Sequence, residues 1–327
     1  MKFGFFAVLT GTVGLAFTAA FLYLDRELAE PILPADFQCL SGADGEFLKK
    51  ELEINNLFGI GLSYAKHINE TASDFDSELD PPIFRKARIS VLNGGGNVSV
   101  PSTADLHRRA ENLEPELNQK LQEQEIELSA LMDYEAELAF VLLEDVTDND
   151  LRDKDFSPRI GYFVANDLSA RSIAILGEGQ SNRYEYWGAS KSFKGFTPIS
   201  TGVWVPFSTN TSAIPCVMLM THVNGEVRQN ENTSNLIYRP VDMLRFIKRK
   251  YPSDELLQGH VVLTGTAGGV TLNTPRWKSR IANILGFSRF QKLKTVQGGA
   301  MAERFMKAGD QVTVSAEWLG GVSVIID

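Results

Sequence analysis

The order of apolar and polar positions along the chain predicts mainly short strands. Apolar runs at Leu138–Leu143 and Ile160–Val164 predict two strands that could pair. The dipeptide Asn224-Gly225 lies between two alternating segments and is typical of a type I′ turn, so it predicts a β-hairpin. Two more strands are expected near the C-terminus, at Val312–Ala316 and Val322–Ile326. The pattern therefore indicates a β-rich domain.

The N-terminal segment differs, since residues 3–24 contain no charged side chain. A stretch of about 20 apolar residues can cross a bilayer as a helix, so this segment predicts an uncleaved membrane anchor. A cleavable signal peptide is the alternative, although Thr18-Ala19-Ala20 is a poor cleavage site and the apolar run continues to Leu24. The sequence thus predicts a protein anchored by one N-terminal span, on an undetermined side of the membrane, or exported after cleavage.

Composition limits the class of protein. The 327 residues suffice for one large domain with smaller appendages. The net charge of −9 argues against a general nucleic-acid binder. Cys216 lies in an apolar run and is expected to be a buried thiol, while a Cys39–Cys216 bridge could form only in an oxidising compartment.

Three acidic residues carry the strongest chemical signal. Glu135 and Glu137 lie at the start of a predicted strand, so their side chains point to the same face. Asp167 follows the second apolar run, and pairing of the two strands would bring the three carboxylates together. Carboxylate oxygens of this kind suit Mg²⁺, Mn²⁺ or Ca²⁺. The alternative is an exposed sheet face with solvated carboxylates.

His67 and Glu70 form a second candidate pair. They are three residues apart on a predicted helix that Ser63 can cap, so they share one face. A carboxylate beside an imidazole orients the ring, and a water held between them could be deprotonated. On these residues alone, an exposed His–Glu pair is the simpler interpretation.

Five ordered motifs give these residues a wider context. From about Leu57 to the C-terminus, with two interruptions, the sequence closely resembles the fumarylacetoacetate hydrolase family and its acylpyruvate hydrolase branch. The motifs are Asp133–Leu138, Val164–Arg171, Lys191–Phe193, Val223–Gln229 and Leu263–Thr266. The segment around His67 and Glu70 resembles the family's Asn-Tyr-x-x-His-x-x-Glu lid, with Ser63 in place of Asn.

The resemblance implies an α+β, β-rich fold with a mixed β-roll or sandwich core and a small N-terminal region, here preceded by the predicted transmembrane helix. It also implies a divalent metal, usually Mg²⁺, held by Glu135, Glu137 and Asp167, and a small-molecule 2-oxo acid substrate. Lys191 is implied to lie near the metal and to balance its carboxylates. Substrate-binding roles are implied for Arg228, Gln229, Thr264, Gly265 and Thr266. Relatives are commonly homodimers, which suggests a dimer.

The expected organisation has four parts. Residues 1–26 form the anchor or signal segment, and residues 27–101 an N-terminal region with the His–Glu lid. Residues 102–130 are predicted to be a helical insertion, and residues 131–327 the metal-binding catalytic domain. Within that domain, residues 271–296 are a second insertion, basic and rich in aromatics, that either lies on an anionic membrane or caps the core.

The expected reaction is hydrolysis of a carbon–carbon bond in an acylpyruvate-like 1,3-diketo acid. His67, oriented by Glu70, would take a proton from water, and the hydroxide would attack the distal carbonyl. Lys191, with the metal, would stabilise the leaving pyruvate-type enolate. If the protein is an enzyme, the alternative is decarboxylation or isomerisation of a 2-oxo acid in the same site. If it is not an enzyme, the alternative is an inactive membrane-tethered scaffold, and the intact acidic and His–Glu positions argue against that.

Overall fold

The fold contains two large β-sheets, two short β-ribbons and helices. The computed structural model describes residues 32–48, 53–70, 76, 79–210, 212–273, 282 and 284–327. Both sheets belong to the unit Pro34–Asp327. The larger sheet has nine strands. They are β2 (Gly45–Phe47), β3 (Asn56–Ile60), β4 (Ile83–Lys86), β5 (Val91–Asn93), β8 (Ala136–Leu142), β9 (Ile160–Asn166), β11 (Thr197–Ile199), β12 (Trp204–Pro206) and β16 (His260–Leu263).

The two strands at the centre of the larger sheet are buried on both faces. Strands β8 and β9 pair antiparallel, with Glu137 opposite Ala165. Alternate side chains of β8, such as Leu138 and Phe140, enter the main hydrophobic core. The intervening Ala139 belongs to a smaller cluster, so apolar residues on both faces keep the strand in place.

The smaller sheet has five strands in the order β15-β14-β17-β18-β6. They are β6 (Gly96–Val98), β14 (Met218–Val223), β15 (Glu226–Asn232), β17 (Gln311–Ala316) and β18 (Gly320–Ile326). Asn224 and Gly225 join β14 to β15 with φ angles of 52° and 82°, the positive values that a type I′ turn needs. The predicted hairpin and the two C-terminal strands are confirmed.

Four more strands form two short ribbons. Strand β1 (Gln38–Leu40) pairs parallel with β13 (Ala213–Pro215), and β7 (Met132–Asp133) pairs antiparallel with β10 (Ser169–Ala170). The second ribbon joins the segment before Glu135 and Glu137 to the segment after Asp167.

The described helices are short. They are α1 (Ala65–Glu70), α2 (Thr103–Leu113), α3 (Leu117–Glu123), α4 (Asp148–Arg152), α5 (Arg171–Leu176), α6 (Arg183–Ser190), α7 (Pro240–Lys250) and α8 (Arg289–Gly298). The first insertion therefore forms two helices. Ser102 caps the N-terminus of α2, where its hydroxyl accepts a hydrogen bond from Asp105 N. Helix α2 buries Leu106 and Ala110, and α3 buries Leu117 and Leu121, in a second core cluster.

A disulfide joins the N-terminal arm to the rest of the unit. Cys39 of β1 and Cys216, next to β13, are bonded over a sequence separation of 177 residues. The expected buried thiol at Cys216 is thus wrong, and the bridge between the two cysteines forms instead. The cause is the parallel β1–β13 pairing, which places the two Cα atoms 5.0 Å apart, within the usual range for a disulfide.

The predicted transmembrane helix at residues 3–24 lies outside the described residues. Within the described part of the chain, no helix combines the length and the apolar character needed to span a bilayer. Its longest helices, α2 and α7, have 11 residues each. A helix of that size is about 16 Å long, whereas the hydrocarbon core is about 30 Å thick. We therefore correct the expected fold class and localisation: the α+β part stands, and the transmembrane helix, the membrane-anchored localisation and the membrane partner are withdrawn.

Candidate active site

Three buried carboxylates meet at one end of the central strand pair. Glu135 lies between β7 and β8, Glu137 is the second residue of β8, and Asp167 directly follows β9. Register brings them together, because Asp167 N donates to Glu135 O at 2.8 Å. One ligand oxygen from each side chain lies within 4.8 Å of the others. The predicted convergence is therefore present, and the site is buried rather than on an exposed face.

Three cations surround these carboxylates. Lys191, next to the end of α6, contacts Glu135 Oε2 at 2.5 Å and Asp167 Oδ2 at 2.7 Å through its Nζ. Lys86, the last residue of β4, forms an ion pair with Asp167 Oδ1 and donates to Phe196 O at 3.1 Å. Arg171, the first residue of α5, contacts Glu135 Oε1 at 2.5 Å. Each oxygen of Glu135 thus faces one cation.

Asp133 adds a fourth buried carboxylate on the far side of Arg171. Its Oδ2 lies 2.8 Å from Arg171 Nε. Backbone N–H groups of Tyr134, Thr271 and Leu272 also donate to the Asp133 carboxylate. Arg171 is thereby fixed between Asp133 and Glu135.

The protonation of the cluster reflects its charge balance. Burial, together with the nearby Asp167 and Glu135 carboxylates, raises the pKa of Glu137 well above its usual range. Burial alone would raise the pKa of Glu135, but the cations of Lys191 and Arg171 outweigh it and lower the pKa. Burial likewise opposes the charge of Lys191, yet Asp167 and Glu135 raise its pKa. Lys86 has a lowered pKa, mainly because it is buried.

These residues fit a divalent cation. Three carboxylates supply the hard oxygen ligands that Mg²⁺ and Mn²⁺ prefer. The raised pKa of Glu137 shows that the site disfavours a third negative charge, which a bound cation would favour instead. Four carboxylates and three cationic side chains leave the fully ionised cluster one negative charge in excess. A divalent cation would turn that excess into one positive charge, suited to an anionic substrate.

His67 lies on α1, close enough to the cluster for Glu135, Arg171 and Lys191 to influence its pKa. Burial of the imidazole lowers its pKa to about 4, with Glu135 opposing the shift and Arg171 and Lys191 adding to it. The ring is therefore neutral at pH 7 and able to accept a proton. Glu70, on the same helix, accepts a hydrogen bond from Gly269 N at 2.5 Å. The helix is held by Ile68, which is fully buried, and by a bridge between Tyr64 and Leu236.

Four of the predicted substrate-binding residues use their polar groups to hold the site together. Gln229 Oε1 accepts from Ala136 N and Thr221 Oγ1, and its Nε2 donates to Thr266 Oγ1 and Ala267 O. Thr264 Oγ1 donates to Leu138 O at 2.8 Å. These bonds fix the loop after β16 to β8.

Gly265 performs the most direct of these roles, because its N–H donates to Glu137 Oε2 at 2.8 Å. Its φ angle is +99°, and a Cβ atom there would lie 2.6 Å from Ser63 Oγ. Both constraints favour glycine. The loop therefore orients a predicted metal ligand.

Arg228 is the predicted substrate-binding residue with donor capacity left. Its Nη2 pairs with the exposed Glu226 at 2.9 Å. Its Nε is buried and, among the described residues, has no hydrogen-bond partner. The guanidinium could therefore donate to a bound anion.

Sequence reasoning missed Lys86, Arg171 and Asp133. Lys86 shares a strand face with the buried Phe84, so a lysine on an apolar face was the available signal. Arg171 and Asp133 stand inside the motifs that carry the resemblance, but only the fold shows that they meet.

Comparison with known proteins agrees with this geometry. The family model described as "Fumarylacetoacetate (FAA) hydrolase C-terminal" matches residues 56–325. The chain belongs to the fumarylacetoacetate hydrolase family. The resemblance seen in the five motifs is thus confirmed, and within this family the buried acidic triad is consistent with a metal-dependent enzyme rather than an inactive scaffold.

Several known proteins are similar to this chain over about two thirds of its length or more. An uncharacterised protein of Archaeoglobus fulgidus is 28% identical over 217 residues, covering 66% of this chain and 69% of the relative. The oxaloacetate tautomerase YcgM of Escherichia coli is 26% identical over 219 residues, covering 66% and 83% respectively. The fumarylpyruvate hydrolase from Pseudomonas aeruginosa, solved in complex with Mn²⁺ and pyruvate, shares the fold with a TM-score of 0.55 at 19% identity, covering 91% of this chain and 98% of that one.

Proposed function

We propose that the protein is a metal-dependent hydrolase that cleaves a carbon–carbon bond in an acylpyruvate-like 1,3-diketo acid. The observation that carries the proposal is the convergence of the buried Glu135, Glu137 and Asp167 with Lys191 and Arg171. His67 lies close enough to this cluster for Glu135, Arg171 and Lys191 to influence its pKa. Its imidazole is neutral at pH 7, which is the form that a general base needs. Relatives and neighbours that act on oxaloacetate or fumarylpyruvate support a 2-oxo acid as the substrate class.

Glu135, Glu137 and Asp167 would hold Mg²⁺ or Mn²⁺, which supplies Lewis-acid polarisation of the 2-oxo acid oxygens when bound. Charged side chains around the metal site complete its charge balance and would contact the substrate. Lys191 and Arg171 keep Glu135 ionised, and the partly buried guanidinium of Arg228 would bind a distal oxygen of the acyl group. In this arrangement the substrate carboxylate is attracted to a site that carries a net positive charge.

The chemical step consumes one water. His67 takes a proton from that water, and the resulting hydroxide forms a bond to the distal carbonyl carbon. The bond between this carbon and the methylene carbon then breaks, and its electron pair remains on the methylene as the enolate of pyruvate. A proton delivered to that carbon, by His67 or by water, gives pyruvate and a carboxylic acid. Glu70 would orient the imidazole from the same helix.

Oxaloacetate chemistry is the second candidate, favoured by the similarity to the tautomerase YcgM. Tautomerisation moves a proton between carbon and oxygen without adding water, and decarboxylation breaks a different carbon–carbon bond. Both need the acidic triad and its cations, but neither needs hydroxide at a distal carbonyl.

The decisive experiment compares an acylpyruvate and oxaloacetate at equal Mn²⁺ concentration. Pyruvate release from the acylpyruvate, lost in His67→Ala and retained in the control His222→Ala, is the expected result. Enol–keto interconversion of oxaloacetate without acylpyruvate cleavage would overturn the hydrolase assignment in favour of the second candidate. The predicted homodimer is checked separately, by sedimentation equilibrium.

A further inference from the structure

One short helix places a cation against the candidate metal site. Helix α5 spans only Arg171–Leu176, and Arg171 at its beginning contacts Glu135 Oε1 at 2.5 Å. A helix of six residues is not stable by itself, so its position depends on contacts at both ends.

The second insertion, defined above as residues 271–296, provides the contact at the beginning of α5. The N–H groups of Thr271 and Leu272 donate to the Asp133 carboxylate at 2.9 and 3.1 Å. The same carboxylate accepts from Arg171 Nε at 2.8 Å. Asp133 is completely buried, so it cannot exchange these donors for water.

The same insertion also provides the contact at the end of α5. Arg289 Nη1, on helix α8, donates to Leu176 O at 2.9 Å. Lys292, one turn further, pairs with Glu178 at 2.8 Å. Leu293, which follows Lys292, is completely buried in the core cluster that also contains Leu176.

The first insertion anchors Arg289 in turn. Glu114, at the end of α2, pairs with Arg289 Nη2 at 2.6 Å and also accepts from Tyr186 and Lys120. Two basic residues of α8, Arg289 and Lys292, are therefore paired with acidic residues of the protein. Of the two interpretations of the second insertion, the contacts favour the cap.

We propose that the second insertion positions Arg171, and through it Glu135, by holding helix α5 at both ends, with Asp133 and Arg289 as the positioning residues. This role depends on the metal site of the proposed function and extends it to residues other than the three carboxylate ligands. The expected consequence is that Arg289, which touches none of the three carboxylate ligands, still sets the affinity of the site for a divalent cation.

The test measures Mn²⁺ binding to the purified full chain by electron paramagnetic resonance, without any substrate. Replacing an outer group that orients a metal ligand weakens affinity by about 10- to 100-fold, which is expected for Asp133→Asn. Replacing a residue further along a connected network changes coupling by about 0.5–2 kcal/mol, so Arg289→Ala should weaken Mn²⁺ binding by about 2- to 30-fold. The matched control is Arg249→Ala, which removes an exposed arginine–aspartate pair with Asp80 and should bind as the wild type does.

Two further variants separate positioning from general loss of stability. In an Arg171→Lys background the shorter side chain cannot bridge Asp133 and Glu135, so Arg289→Ala should add no further loss of affinity. Glu114→Gln should weaken Mn²⁺ binding less than Arg289→Ala does, because in Glu114→Gln the side chain of Arg289 keeps its hydrogen bond to Leu176 O. If Arg289→Ala does not fold, Glu114→Gln replaces it in the test.

The outcomes are distinguishable. Wild-type protein without Mn²⁺ affinity would refute the metal site and the proposed function together. The positioning role alone would be refuted if the wild type binds Mn²⁺ and Arg289→Ala binds it equally tightly. It would also be refuted if Arg289→Ala causes the same loss of affinity in the Arg171→Lys background as in the wild type.

Discussion

Replacing Glu137 by glutamine should make the metal-free protein more stable while removing much of its stabilisation by metal. Glu137 is buried beside Glu135 and Asp167, and burial with these two carboxylates raises its pKa. Glutamine has the same shape and keeps an acceptor for the N–H of Gly265, but it carries no charge.

The size of the effect follows from the separation of the carboxylates. At 4.8 Å, the greatest distance between their ligand atoms, two like charges repel by about 3.5 kcal/mol at an effective dielectric constant of 20. Glu137 has two such neighbours, partly offset by attraction to Lys191. Proton uptake by Glu137 relieves part of the repulsion that remains. We expect a net gain of about 1–3 kcal/mol, within the range seen when buried ionic groups are replaced by neutral ones.

The pH dependence gives the sign of the effect. Because the pKa of Glu137 is higher in the folded state, the folded protein retains a proton that the unfolded chain has released. Wild-type stability should therefore fall as pH rises from the unfolded pKa, about 4.3, towards the raised folded value. The advantage of Glu137→Gln should be absent below that window and largest above it.

Urea unfolding at pH 4 and pH 8, in chelator and in excess Mn²⁺, tests this directly. At 100 times the dissociation constant, Mn²⁺ should stabilise the wild type by about 2.7 kcal/mol and Glu137→Gln far less. Glu303→Gln, which neutralises an exposed carboxylate paired with Lys307, is the control. A Glu137→Gln variant that is less stable than the wild type at pH 8 in chelator would contradict this expectation, as would an equal gain from Mn²⁺ in both proteins.

Three further predictions follow from other parts of the structure. His67→Ala should lower the rate of hydrolysis by about 10²–10⁴-fold, with Mn²⁺ affinity nearly unchanged in a binding titration. Because the pKa of His67 is about 4, the rate of the wild type should fall only as the pH drops through that value. Asp167→Ala should abolish Mn²⁺ binding and leave Lys86 and Lys191 without their shared partner, so wild-type affinity would rule the site out. Replacing both Cys39 and Cys216 by serine should lower the free energy of unfolding in urea by about 2–5 kcal/mol, whereas an unchanged midpoint would show that the bridge does not restrict the unfolded chain.

The sequence allowed the central strands and the acidic triad to be predicted because both depend on local rules. Alternation fixes which side chains of β8 share a face, and the Asn224-Gly225 turn fixes the β14–β15 hairpin. Convergence of Asp167 with the two glutamates needed only the pairing of two neighbouring strands.

Roles that depend on distant contacts could not be predicted in the same way. Gln229 and Thr264 were expected to bind substrate, yet their hydrogen bonds go to β8 and the loop after β16. A polar side chain in a family motif looks the same in sequence whether it faces a ligand or a backbone carbonyl. Cys216 shows the same limit, because an apolar run does not reveal that β1 will pair beside it.

The bridge between Cys39 and Cys216 also closes a covalent ring of backbone that contains the three carboxylates and the cationic residues that contact them. His67, Glu135 and Lys191 all lie inside the interval that the bridge spans. A single backbone cut in that interval would leave both pieces linked, so a nicked protein should migrate as one species on a non-reducing gel and as two after reduction. A cut beyond Cys216 would release the C-terminal strands of the smaller sheet in either case. Whether the two fragments of a nicked protein stay covalently joined should therefore depend on which side of Cys216 the cut lies.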